Sequence, residues 1–83
     1  MAETLHDDID VGAVFGARGM RPLWFSWQGR RRMIREITYI WKELDGLRVL
    51  RYFSVTDGAA VYELCFDPER LRWSLTKVAH ESA

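Results

Sequence analysis

Apolar and polar residues alternate along much of this 83-residue chain. Ile9, Val11, Ala13 and Phe15 keep one parity, as do Leu23, Phe25 and Trp27; Tyr62, Leu64 and Phe66 share a face while Glu63 and Cys65 take the other. A period of two is that of a strand with one side against a core. Leu71, Trp73 and Leu75 form a further set, after which Val78 changes parity, as Ile37 does after Ile34. Such switches suggest β-bulges, which bend a strand and help a sheet curl. Gln28-Gly29, Asp45-Gly46, Asp57-Gly58 and Asp67-Pro68-Glu69 mark reversals, because glycine supplies the positive φ of tight hairpin turns at no steric cost. The runs between them are rich in Val, Ile, Tyr, Phe, Trp and Thr, which suit a pleated, half-buried surface.

The pattern predicts a single small all-β domain, an antiparallel meander of five or six strands curling into a small barrel. Its expected core is Phe25, Trp27, Ile34, Ile37, Trp41, Phe53, Val55, Tyr62, Leu64, Trp73, Leu75 and Val78. Residues 30–44 admit two readings. Ile34, Ile37, Trp41 and Leu44 lie on one helical face with Gly46 as a stop, but the run Ile37-Thr38-Tyr39-Ile40-Trp41 loses side-chain freedom in a helix and no capping residue precedes Arg30. Strand is the expectation, with one helical turn before Asp45 as a compromise.

Composition fits one soluble globular domain, with 48% apolar and 29% charged residues. The expected organisation is a disordered acidic lead at 1–8, a β domain at 9–79 and a tail at 80–83. Cys65 is the one cysteine, so no intrachain disulfide forms and a reducing cytoplasm is the expected setting. No apolar run has the length of a signal peptide or a membrane span, so no membrane association is expected. His6 and His80 lie at opposite ends of the chain, and neither a metal nor a cofactor is expected.

The net charge of zero hides an asymmetry. Outside residues 1–8 there are twelve bases and nine acids, a surplus of three, and residues 18–35 hold six arginines and no acid. Arginine favours bidentate contacts to phosphate and stacking on aromatic rings. Arg21, Arg30, Arg31, Arg32 and Arg35 are therefore candidate phosphate clamps and Trp24, whose parity opposes Phe25, a candidate stacking platform for single-stranded or duplex DNA or RNA. The bland alternative places Phe25 and Trp27 in the core and leaves the arginines as a solvated hairpin tip that resists edge pairing. The acidic lead, as a tether bearing Glu3, Asp7 and Asp8, would compete with phosphate for the arginines or merely solubilise the domain.

Pro22, Phe25, Trp27, Gly29-Arg30, Ile34, Ile37 and Trp41, then Arg51-Tyr52-Phe53, Tyr62-Glu63-Leu64, Asp67, Trp73, Leu75 and Val78 together resemble a family of small bacterial proteins known as a domain of unknown function. The resemblance spans residues 9–78 and rests on a Phe-x-Trp-x-Gly-Arg hairpin with closing Tyr-Glu-Leu and Trp-x-Leu strands. Some members lie beside error-prone polymerase genes, a neighbourhood that implies nucleic acid but establishes no activity, and no catalytic residues come with the resemblance. Arg32 stands where an aromatic is common, and a second tryptophan often found after Trp41 is missing.

Catalysis is not expected. Cys65 lies between Leu64 and Phe66 with no histidine near in sequence, Glu63 and Asp67 suit a cross-strand partner and a turn acceptor, and the glycines at 12, 16 and 19 precede no helix. Two functions follow: a nucleic-acid-associated accessory module using the arginine hairpin, or a protein-interaction module using an exposed strand edge or aromatic patch.

Overall fold

A computed structural model describes residues 2–80 of the chain. They form seven strands: β1 (Ala2–Gly16), β2 (Gly19–Trp27), β3 (Arg30–Met33), β4 (Glu36–Asp45), β5 (Arg48–Thr56), β6 (Ala60–Asp67) and β7 (Arg72–His80). All belong to one antiparallel sheet in the order β3-β2-β1-β7-β6-β5-β4.

The two edges of this sheet, β3 and β4, are consecutive in the chain. Ile34 donates its N–H to the carbonyl of Leu23 beside β3 (3.0 Å), and the next residue, Arg35, donates to the carbonyl of Thr56 at the end of β5 (2.8 Å). Adjacent residues thus touch opposite sides of the sheet, which must curl to allow it. The curl does not close: among the described residues no ladder joins β4 to β2 or β3. The strand count exceeds the expected five or six because residues 30–44, read as one strand or a helix, are cut in two by this crossing. No helical turn precedes Asp45; a two-residue loop with Gly46 at φ 64° joins β4 to β5.

Bulges set the facing of the side chains. Gly12 pairs with Trp24 and Ala13 with Pro22, so Leu23 is the extra residue. Pro22 therefore turns inward beside Phe25, and Leu23 is exposed rather than sharing their face. The slip between Glu63 and Leu64 leaves Thr76 as an extra residue and accounts for the parity change before Val78. The change from Ile34 to Ile37 comes instead from the crossing between β3 and β4, and the β4 bulge lies after it, between Ile37 and Tyr39. Phe25, Phe53, Val55, Tyr62, Leu64, Leu75 and Val78 are buried, joined by Ile9, Ala60 and Phe66, with Trp27, Ile34, Ile37 and Trp73 packed half-buried against them. Trp41 is not in this core. It pairs with Tyr52 on the outer face, where the rings stack 5.2 Å apart at 12°.

The acidic lead is also not a free tether. Ala2, Glu3 and Thr4 pair with Ala79, Val78 and Lys77, and after a slip Asp7 and Asp8 pair with Leu75 and Ser74. Ladder hydrogen bonds come from the backbone and need no apolar side chains, so scarcity of large aliphatics was a poor guide to disorder here. The domain accordingly begins at Ala2 rather than residue 9. Of the expected tail, His80 ends β7 and 81–83 lie outside the described residues, as does Met1.

Candidate binding surfaces

The arginine hairpin is built around Gln28 and Gly29, both with positive φ (53° and 74°), as a primed turn requires. The register sets Phe25 against Arg32, Ser26 against Arg31 and Trp27 against Arg30. Alternation therefore sends Arg31 to one face and Arg30 and Arg32 to the other, so the three consecutive arginines cannot act as one clamp.

Arg32 is turned toward the core. Its guanidinium lies 5.0 Å from the centroid of Trp27 and 5.8 Å from that of Tyr62, and its Nη1 donates to the Tyr62 hydroxyl at 3.4 Å. Its Nε is buried without a hydrogen-bond partner. The Tyr62 hydroxyl donates in turn to Asp57 at 2.9 Å, and Asp57 caps its own turn by accepting from the backbone N–H groups of Ala59 and Ala60. Burial raises the Asp57 carboxyl, but these three hydrogen bonds and the charge of Arg32 outweigh it and hold the group below its ordinary pKa. The Tyr62 phenol is pushed up, by burial first and by Asp57 next. Arg32 thus compensates a part-buried carboxylate.

Trp24 and Arg31 meet on the outer face. The Arg31 guanidinium sits 3.9 Å from the centroid of the Trp24 ring, a cation–π stack. The indole covers Gly12: a Cβ built there would stand 2.1 Å from the Trp24 Nε1. Both partners are already taken, so Trp24 offers no free ring as it stands. Arg35, past the crossing, lies against the β5–β6 turn, where a Cβ on Gly58 would come 2.5 Å from its Nη1. Arg30 is exposed at the hairpin, and Arg21 is exposed on β2 opposite Val14. Of the six residues singled out in the sequence, the structure stacks Arg31 on Trp24, turns Arg32 to Tyr62 and Arg35 to the β5–β6 turn, and leaves Arg21 and Arg30 exposed. None of the five arginines makes an ion pair among the described residues. The acidic lead does reach the hairpin, as a fixed contact: the Trp27 Nε1 donates to Asp7 at 3.0 Å.

The other residues weighed for chemistry have structural places. The Asp67 carboxylate accepts from the N–H groups of Glu69 and Arg70 and from Arg48 Nη1 at 2.7 Å, while Arg48 Nη2 reaches Asp45 at 3.0 Å. Glu63 accepts from Thr76 across the ladder at 2.7 Å. Cys65 is buried in the row Tyr52–Cys65–Ser74, and burial pushes its thiol up. Among the described residues no three His, Cys, Asp or Glu side chains gather as a metal site would need, and no helix is long and apolar enough to cross a membrane.

The surface that periodicity missed is β4. It is an edge strand of ten residues whose outer side has no pairing partner among the described residues, and Tyr39, Ile40 and Leu44 along it are exposed. Leu47 and Val49 extend the apolar surface around the β4–β5 turn. Near the crossing this edge faces β2 across an opening. One cavity of about 340 Å³ is lined by Met20 and Arg21 from β2 and by Ile37 and Ile40 from β4, and a second of about 470 Å³ reaches Phe15, Phe53 and Phe66. The available signal was Asp45-Gly46, which marks a hairpin with Leu44, Leu47 and Val49 around its tip.

No family model matches the chain, and no curated protein or solved structure matches it at a significant level.

Proposed function

We propose that this protein is a non-catalytic interaction module that recognises a partner polypeptide by strand addition at the open edge of β4. The supporting observation is the combination of length, apolar character and exposure on that edge. A long exposed apolar edge invites pairing with any other chain, and soluble domains usually blunt it with charges, prolines, strong bulges or a covering segment. β4 has Glu36, Lys42, Glu43 and Asp45 toward its ends and one bulge near its start, and between these charges it presents Tyr39, Ile40, Trp41 and Leu44 with its outer edge uncovered among the described residues. Main-chain pairing supplies affinity in this mode and the alternating side chains supply selectivity. The reducing cytoplasm suggested by the lone Cys65 is the setting that goes with it.

The test is selection of strand-forming peptides from a displayed random library on the immobilised full chain. Recovered peptides should bind the native chain and lose most of their affinity for Ile40→Lys, which keeps the fold because Ile40 is outside the core. Recovery of nothing, or of peptides indifferent to Ile40→Lys, overturns the proposal.

A nucleic-acid role keeps one observation in its favour, the arginines at 21, 30, 31, 32 and 35 that make no ion pair among the described residues. Arg32 faces inward, so at most four of them reach solvent-side phosphates. Two to four single-strand contacts would give a log-log salt slope of roughly −1.4 to −2.8. A flat response, or affinity unchanged by alanine at Arg30 and Arg31, removes this second reading.

A further inference from the structure

We infer that the opening between β2 and β4 is a slot for one extended segment of a partner polypeptide, apolar along one face and acidic along the other, which fills it as an added strand. The inference rests on the interaction reading above and names the occupant.

The slot follows from the crossing. β3 pairs with β2 only over Trp24–Trp27, and at Ile34 the chain leaves for β4. Among the described residues the edge of β2 over Gly19–Pro22 is thereby left without the strand that would have continued beside it, and β4 has no strand on its outer side. The two bare edges line one cavity through Met20, Arg21, Ile37 and Ile40. They are too far apart to pair: no Cα of β2 lies within 8 Å of a Cα of β4. Neighbouring strands stand about 4.8 Å apart, so a strand inserted between two others needs roughly 9.6 Å. An opening beyond one spacing, bounded by two unpaired edges, is the geometry an extended peptide completes.

The lining defines the chemistry. Inside lie Phe15, Met20, Ile40, Phe53 and Phe66, and Phe15 is 73% exposed at the mouth although it is a large apolar ring. The rim carries Arg18, Arg21 and Arg51, none of which makes an ion pair among the described residues. Among the described residues no aspartate or glutamate lines either cavity. An extended segment turns alternate side chains to opposite faces, so its inward positions meet the apolar interior and its outward positions meet Arg21, with Arg18 and Arg51 at the mouth. Acidic residues alternating with apolar ones satisfy both. The chain cannot fill the slot with its own acidic lead, which is committed to β1 beside β7. Direction follows from the sheet: strands alternate in sense from β3 to β4, so β2 and β4 run oppositely and an insert is antiparallel to one of them only. The longer β4 edge is the antiparallel partner.

The test uses the full chain, isotope-labelled for amide shift mapping, and two synthetic peptides of about six residues, roughly the 20 Å reached at 3.3 Å per residue. One alternates glutamate with valine and the other lysine with valine. The glutamate peptide should shift the amides of Gly19, Met20 and Arg21 together with those of Ile37 to Trp41, weaken as salt rises, and bind at least about tenfold more tightly than the lysine peptide, a difference of about 1.4 kcal/mol. In the triple variant Arg18→Glu, Arg21→Glu, Arg51→Glu the preference should reverse, a gain of lysine-peptide binding that misfolding cannot imitate. Equal binding of both peptides, shifts on one edge alone, or no reversal in the triple variant overturns the slot. Shifts confined to Leu44–Val49 would sink the slot and leave strand addition at β4 standing, whereas no β4 shift with these peptides or with library-selected ones would end both.

Discussion

β6 and β4 both contain runs of strand-forming residues, β4 with more charges, and lie in opposite environments. β6 reads Ala60-Val61-Tyr62-Glu63-Leu64-Cys65-Phe66-Asp67 and is buried or half-buried along its whole length. β4 reads Glu36-Ile37-Thr38-Tyr39-Ile40-Trp41-Lys42-Glu43-Leu44-Asp45 and is exposed everywhere but Ile37 and Trp41. Both are rich in residues of high β-propensity. Position in the sheet separates them: β6 has β5 and β7 on its flanks, while β4 has β5 on one side and, among the described residues, no strand on the other. The same kind of sequence serves as a core at the centre of the curl and as a contact surface at its open edge.

That contrast is put to its hardest test by truncating one apolar residue in each place. Leu64→Ala removes a side chain with no exposure and should cost about 3 to 5 kcal/mol in chemical denaturation, the usual range for a buried leucine that leaves a cavity. Tyr39→Ala, on the outer face of β4, should cost less than about 1 kcal/mol. Comparable losses at the two sites would mean that β4 is part of the stability core and is not free for a partner.

A smaller effect is expected at the joint between β1 and β2. Gly12 lies beneath the Trp24 indole, and a methyl group there would overlap its Nε1 edge. Gly12→Ala must displace the ring and its Arg31 stack, costing about 1 to 3 kcal/mol as overpacking does, and should shift tryptophan fluorescence. If stability and emission both stay unchanged, the Trp24–Arg31 stack is not a fixed element and Trp24 returns as an available ring.

Smaller again is the cap on the β5–β6 turn. Asp57→Ala removes two backbone caps and the acceptor of Tyr62, and should cost about 1 to 2 kcal/mol at neutral pH. Because the native pKa of Asp57 is depressed, its contribution is complete above the unfolded carboxylate value of about 3.9 and fades as pH falls through the native value. Asp57→Asn should therefore flatten the acid limb of the stability curve. The raised phenols of Tyr52 and Tyr62 act at the other end, with stability present below about 10 and declining as pH rises through their native values. An acid limb unchanged in Asp57→Asn would show that Arg32 and Tyr62 do not report on this carboxylate.

Fold class was legible in the chain because strand alternation and Gly-containing turns are local. Asp57-Gly58, Gln28-Gly29 and the parity change before Val78 each specify backbone geometry within a few residues. The crossing at Ile34-Arg35 was not legible: nothing in those two side chains says that one N–H goes to Leu23 and the next to Thr56, since the partners are set by how the whole sheet curls. The site suffered for the same reason. Six arginines within 18 residues look like a patch in one dimension, but a hairpin register sends neighbours to opposite faces, and Arg32 finds Tyr62 on a distant strand, whose hydroxyl leads on to Asp57 in the β5–β6 turn. Residues 2–8 failed differently, because a ladder holds a backbone whatever its side chains are.

The least costly substitution is at the tip of the β4–β5 hairpin. Leu47 is fully exposed and makes no contribution to the core, so Leu47→Lys should leave the denaturation midpoint unchanged within about 0.5 kcal/mol. A charge there also opposes edge-to-edge pairing of two copies, which is how lysine protects exposed edges in other sheets. Sedimentation velocity at rising protein concentration should accordingly show the native chain associating more than Leu47→Lys, while a peptide held in the β2–β4 slot, which Leu47 does not line, binds both alike. Loss of peptide binding in Leu47→Lys would extend the docking surface to the hairpin tip. Loss of stability would mean that the tip folds back on the domain in solution, and the division between buried centre and open edge would then have to be drawn one hairpin further out.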